Sequence, residues 1–168
     1  MNIRLAVMDD LPRLKSMYGE IVAHMNERGL HIWDDVYPCE FLGSDIENNR
    51  LYVLMDDDEI TSAFALCGSH AGADSVEWVD KDGHALYIDR LGVSVKFLRK
   101  GVGSLLLQHA VAAARGKGAA YLRLFVMESN APAINLYRKN GFRQVAGFYD
   151  EVIDDDLVLH EFGFEMET

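Results

Sequence analysis

The chain has 168 residues, 49% of them hydrophobic and 26% charged, which suits one folded domain and excludes a disordered chain. Its 16 basic against 27 acidic side chains leave a net charge of −11, which argues against a nucleic-acid or anionic-membrane surface and is compatible with a cationic substrate or with a merely solvated surface. Two cysteines, Cys39 and Cys67, are too few for a disulfide framework and lack the spacing of a zinc site, so no metal is expected and a reducing cytoplasm is the natural compartment. Neither a signal-peptide core nor a long apolar run is seen, so no membrane association is expected.

Ile3 to Val7 reads as a short strand. Asp9 and Asp10 are N-cap candidates for a helix whose apolar face is Leu11, Leu14, Met17, Tyr18, Ile21, Val22 and Met25, ended by Gly29. The segment 30–38 is irregular and aromatic, and a second short helix follows over 40–48. Leu51 to Met55 and Ile60 to Cys67 read as an antiparallel hairpin around the acidic turn at 56–59. Residues 68–83 read as a polar loop, and Ala85 to Val95 as a long strand. Val102 to Ala114 has helical spacing, stopped by Gly116 and Gly118; Tyr121 to Met127 is a buried-type strand; Asn130 to Asn140 is a helix ended by Gly141. Phe142 to Phe148 and Leu157 to Phe164 read as closing strands. With no repeat and no linker, 1–168 is expected to be one domain of α/β class (α+β mixed), its sheet mixed because the early strands connect by turns.

The segment from Leu91 to Ser104, LGVSVKFLRKGVGS, runs from a strand through a basic glycine turn into an apolar helix. First-turn amides have no internal partners and carry the positive end of the helix dipole, glycines let an anion approach, and Arg99 and Lys100 add charge. The device suits a phosphate or pyrophosphate, while neither a Walker nor a Rossmann fingerprint is present. The nearby Arg115-Gly116-Lys117-Gly118 follows a helix and precedes a strand, so it reads as a helix C-terminus.

In Glu128 to Phe142, Ser129 or Asn130 can cap the helix and Pro132 suits its first turn. Asn130, Ala133 and Tyr137 share a face, with Leu136 in a neighbouring, buried direction. Together the two segments resemble the paired signature of the GNAT superfamily of acetyl-CoA-dependent N-acetyltransferases. Its first motif is a strand leading to R/Q-x-x-G-x-G/A at a helix start. Its second, N-x-x-A-x-x-L-Y-x-x-x-G-F, is matched at every fixed position from Asn130 to Phe142. One departure stands out: Leu98 occupies the place of the usual Arg or Gln, with Arg99 after it.

The resemblance implies a central mixed, mostly antiparallel twisted sheet with helices on both faces. It implies transfer of an acetyl group from acetyl-CoA to a primary amine of a small molecule or peptide, and a homodimer as the family's common habit. It further implies that backbone groups of Leu91 and Val93 bind the pantetheine arm. Amides of Arg99, Lys100, Gly101, Val102, Gly103 and Ser104 would hold the pyrophosphate, Asn130 and Ala133 would line the cofactor, and Tyr137 would assist the leaving sulfur. A non-catalytic acyl-CoA-binding domain is the alternative.

The amine must lose a proton before it attacks, which calls for a general base. Tyr87, Asp89, Leu91 and Val93 fall on one strand face by alternation, so Asp89 is the first candidate, with a surface carboxylate or a partner of Arg90 as the structural alternative. Glu77 is the second candidate, and His84 reads as a solvated loop residue. Trp33 and Tyr37 either wall the acceptor pocket or anchor the irregular loop.

Overall fold

Leu14, Met17, Tyr18, Ile21 and Val22 recur at helical spacing, and in the computed structural model, which describes residues 1–153, 155 and 157–168, all five are buried on helix α1 (Leu11–Glu27). Pro12 stands in the first turn, where its missing N–H costs nothing. Asp10 does not cap α1 through its side chain as expected. Its carboxylate instead accepts the Val7 amide at 2.9 Å and pairs with Arg4 at 2.6 Å and Arg13 at 2.7 Å. The Arg4 guanidinium above all holds the Asp10 carboxyl down at about 2.

The chain groups into two compact units, Met1–Leu66 with Arg90–His109, and Cys67–Asp89 with Ala110–Thr168. In the first unit β1 (Asn2–Leu5) pairs antiparallel with β2 (Leu51–Asp56), and β2 with β3 (Glu59–Cys67), which makes the expected hairpin. The end of β5 (Ala85–Val93) follows beside β3. Helix α1 and helix α2 (Cys39–Glu47) pack together, α2 burying Leu42 and Ile46. Each large aliphatic side chain so buried contributes about 1.5–3 kcal/mol.

In the second unit the start of β5 runs parallel to β6 (Tyr121–Met127), from Ala85↔Tyr121 to Ile88↔Leu124. Helix α3 (Val102–Gly116) makes the crossover that such pairing needs. Strand β6 pairs antiparallel with β10 (Val158–Glu167), and both β7 (Arg143–Gln144) and β9 (Tyr149–Val152) pair antiparallel with β10. Helix α4 is Ala131–Lys139. The result is the expected mixed, mostly antiparallel sheet, with four α-helices among the described residues.

Three expectations change. The predicted strand 142–148 is two short pieces, β7 and β8 (Ala146–Gly147), in different sheets, divided at Val145, and Gly147 at φ 87 ends β8. The predicted loop 68–83 contains β4 (Val76–Glu77), antiparallel to β8, and the buried Trp78. Strand β9 was not expected, because Tyr149-Asp150-Glu151-Val152 shows no buried face of its own. Elements of two to four residues draw their stability from the neighbouring strand, and local pattern does not carry that information. Cys67 is buried, as its apolar surroundings suggested. Among the described residues no helix is long and apolar enough to cross a membrane.

Candidate active site

Strand β5 approaches the glycine turn with an irregularity at Arg90, whose φ is 50. A left-handed non-glycine residue costs about 1–2 kcal/mol and persists only when its surroundings hold it. Three contacts of the first unit do so. Arg90 Nε donates to Asp45 Oδ2 at 2.7 Å, its guanidinium lies 5.3 Å from the Phe41 ring centre, and the Tyr18 hydroxyl donates to the Arg90 carbonyl. Burial pushes the Tyr18 hydroxyl's pKa up, so it stays a donor.

The turn has a consequence for Asp89. A single face through Tyr87, Asp89, Leu91 and Val93 presupposes extended backbone throughout, and the left-handed Arg90 interrupts it. The position of Asp89 beside Leu91 and Val93 therefore does not follow from alternation. Gly92 is required sterically: a Cβ there would lie 2.8 Å from Tyr18 Cε1 and 3.0 Å from Ile21 Cδ1. Gly92→Ala is expected to destabilise by about 1–3 kcal/mol through overpacking, read from the denaturant midpoint; an unchanged midpoint would show that Tyr18 swings aside freely.

Beyond β5, Ser94 donates its amide to Thr61 at 2.9 Å, a short 3-10 turn spans Val95–Phe97, and Arg99 (φ 60) and Gly101 (φ 81) bend the chain into α3. Buried Val102, Leu106, Leu107 and Ala110 anchor the helix behind the turn. The bond from Leu105 N–H to the Gly101 carbonyl, 3.1 Å, opens the ladder, so the amides of Val102, Gly103 and Ser104 lie ahead of it. A Cβ at Gly101 would meet no atom within 4 Å, so the turn is open on that side. Arg99 and Lys100 are exposed, Lys100 resting 5.3 Å from the Phe97 ring centre. Leu98, 38% exposed, brings no charge. Main-chain donors, a helix N-terminus and two exposed cations form a donor set that fits a pyrophosphate. The 115–118 segment is the end of α3, with Gly118 at φ 78, as read from the sequence.

In the second unit Asn130 caps α4, its Oδ1 accepting the Ala133 amide at 3.3 Å. The buried positions of α4 are Ile134 and Tyr137, while Leu136, expected to be buried, is half-buried. Tyr137, 7% exposed, packs its ring 6.0 Å from Phe142 and 6.3 Å from Phe164. Among the described residues its hydroxyl has no hydrogen bond. Burial first, and then the charge of Asp89, raise its pKa, so the phenol stays protonated and serves as a donor.

Asp89 and Tyr137 are thus brought within electrostatic reach of each other. Glu77 is exposed on β4 opposite Ala146, and His84 is exposed with Nδ1 2.9 Å from the Gly118 carbonyl. In the first unit Tyr18, Trp33, Tyr37 and Phe41 form a run of rings at 5.8, 6.3 and 5.6 Å. The Asp34 carboxylate accepts the Val36 and Tyr37 amides at 2.8 and 2.7 Å, which shapes that loop. Two titratable residues that sequence reasoning missed also feel Asp89, namely Glu151 and Glu161. In the run HEFGFEME the glutamates alternate with apolar residues and read as a solvated face. Among the described residues no cluster of three or more His, Cys, Asp or Glu could hold a metal ion.

The sequence model of the acetyltransferase (GNAT) family matches residues 16–142, which contain the glycine turn and the whole of α4. The chain belongs to the acetyltransferase (GNAT) family. It is 26% identical over 143 residues to the uncharacterized N-acetyltransferase YesJ of Bacillus subtilis (strain 168), covering 82% of this chain and 78% of YesJ. A GNAT acetyltransferase from Streptococcus agalactiae 2603 has the same fold, with a TM-score of 0.84 at 21% identity, over 99% of this chain and 95% of that one. So has yncA from Salmonella typhimurium, solved with its cofactor acetyl-CoA, with a TM-score of 0.72 at 18% identity over 99% and 93%. This GNAT chain is an acyltransferase, and acetyl-CoA-dependent acetyl transfer is its general reaction.

Proposed function

We propose that residues 1–168 act as one N-acetyltransferase domain that moves an acetyl group directly onto a primary amine of a small molecule or peptide. The observation that carries the reading is the open, cationic start of α3, where Gly101 leaves free space before amides that precede the helical ladder. Acetyl-CoA, when bound, supplies the acetyl group as a thioester. Backbone groups of Leu91 and Val93 would hold the pantetheine arm, amides from Arg99 to Ser104 the pyrophosphate, and Asn130 and Ala133 would line the cofactor. Trp33 and Tyr37 would face the acceptor.

A lysine-like amine, pKa about 10.4, is only about one part in a thousand neutral near pH 7.4, so a base must supply roughly 4 kcal/mol. A carboxylate serves as that base, Asp89 being the first choice of the sequence and Glu77 the second. Tyr137, protonated and within electrostatic reach of Asp89, is suited to donate to the departing sulfur. The carboxylate surplus favours a cationic or small polar acceptor over an acidic one. Two cysteines without metal-ligand spacing favour a reducing cytoplasm and a metal-free enzyme, and a homodimer is the family's common habit.

A second reading, a non-catalytic acyl-CoA-binding domain, is favoured by Leu98 alone, which stands exposed where the family's motif has Arg or Gln. Turnover of acetyl-CoA on a panel of amines separates the two. Acetyl-CoA at millimolar concentration is expected to raise the melting temperature, and ATP is not. Gly103→Val is expected to abolish that shift in a protein that stays folded by circular dichroism. Normal acetyl-CoA binding by the variant would show that the turn is not the cofactor site.

A further inference from the structure

Tyr18 is 0% exposed and reaches β5 at two points. Its hydroxyl donates to the Arg90 carbonyl, and its ring lies so close to Gly92 that a Cβ there would stand 2.8 Å from Cε1 and 3.3 Å from Cζ. Leu91 is bracketed between the two contacts. Arg90, Gly92 and Ser94 are buried, while Leu91 and Val93 are half-buried, so alternate residues of this stretch are gripped by the first unit. At the far end the Ser94 amide donates to the Thr61 carbonyl of β3 at 2.9 Å, and the Thr61 hydroxyl is itself tied to the Leu54 carbonyl at 3.0 Å.

The same tyrosine carries the aromatic loop. Trp33 packs on the Tyr18 ring at 5.8 Å, Tyr37 on Trp33 at 6.3 Å and Phe41 on Tyr37 at 5.6 Å. The Arg90 guanidinium, 5.3 Å from the Phe41 ring centre, closes the circuit back to β5. Asp45 holds Arg90 by its side chain, whereas the Tyr18 hydroxyl acts on the main chain at the residue whose φ is 50. A left-handed non-glycine residue persists only while its surroundings hold it, and a buried carbonyl resists losing its donor, so this bond favours the bend directly.

We propose that Tyr18 is a positioning residue for both substrates: its hydroxyl sets the backbone of Leu91 and Val93 for acetyl-CoA, and its ring supports Trp33 for the acceptor. The proposal rests on the acetyltransferase reading above. The two parts of the side chain do separable work. Without the hydroxyl, the Arg90 carbonyl loses a buried donor and the bend loses a hold, so β5 relaxes and its main-chain groups at Leu91 and Val93 are displaced from the pantetheine arm. The contact between the ring and Trp33 is untouched by that change. A backbone grip on the arm is the same in the ground state and the transition state, so its loss falls on the affinity for acetyl-CoA rather than on kcat.

The test compares the parent with Y18F and Y18L, using the best amine acceptor from the panel. Y18F keeps the ring and its packing; its KM for acetyl-CoA, and the Kd from calorimetry, should rise about five- to thirty-fold. Its kcat and its KM for the amine should stay within about threefold of the parent. Y18L removes the ring as well and should also raise KM for the amine, by about three- to tenfold. An unchanged acetyl-CoA affinity in Y18F, or an equal rise in both KM values, would overturn the assignment, because a loss of stability alone does not separate the two substrates. R90G gives a second background, since glycine takes a positive φ without strain; there Y18F should cost less than about threefold in acetyl-CoA affinity. A loss as large as in the parent background would show that the hydroxyl does not act through the bend. A parent that binds no acetyl-CoA and turns over no amine refutes the acetyltransferase reading instead. Backbone chemical shifts of Arg90 tell the two failures apart, because they report φ without turnover. They should leave the left-handed range in Y18F, and shifts that remain there overturn the role of Tyr18.

Discussion

Tyr137→Phe should lower kcat for acetyl transfer by about ten- to a thousand-fold while KM for acetyl-CoA and the melting temperature change little. The ring supplies the packing against Phe142 and Phe164, and Phe keeps it. The hydroxyl makes no hydrogen bond among the described residues, so its removal leaves no polar group of the protein orphaned. What is lost is a donor kept protonated by burial and by Asp89, whose bond strengthens as negative charge develops on the departing sulfur. The effect should shrink for an acyl donor with a more acidic thiol. Steady-state kinetics, with single-turnover measurements to expose the chemical step, decide the matter. An unchanged chemical rate would reduce Tyr137 to a packing residue.

Asp45→Ala should be the most destabilising of the substitutions considered, at about 3–5 kcal/mol. Asp45 is 0% exposed and is paired with Arg90 at 2.7 Å and Arg50 at 3.0 Å. Removing it takes away the carboxylate that both guanidinium groups face, of which Arg90 is 9% exposed. For a chain of this size the loss lowers the melting temperature by roughly 6–20 °C. The same pair helps to hold the left-handed Arg90 that leads β5 into Leu91 and Val93. KM for acetyl-CoA should therefore rise more than kcat falls. A loss of stability with unchanged KM would show that the network supports the fold alone.

The two motif segments were legible because each is contiguous. The glycine turn is local backbone chemistry, and its open start of α3 lies where the order of strand, glycines and apolar helix places it. The cap at Asn130 follows in the same way, since the bond from Ala133 spans three residues. The placement of Asp89 was legible only in part. Alternation along β5 pointed to Asp89, but Arg90 breaks the alternation, and it does so because distant residues hold it, Tyr18 from 72 residues away and Asp45 from 45.

By itself the sequence determined the family, the glycine turn into α3, the long elements and the place of Tyr137 on α4, because propensity, capping and glycine conformation act over a few residues. Tertiary structure alone decided where β5 turns, that β4, β8 and β9 exist, that Glu151 and Glu161 share one face, and that both feel the charge of Asp89. Strand pairing sets those neighbours, and a carboxylate's ionisation depends on the burial and charges that pairing brings to it rather than on the residues beside it in the chain.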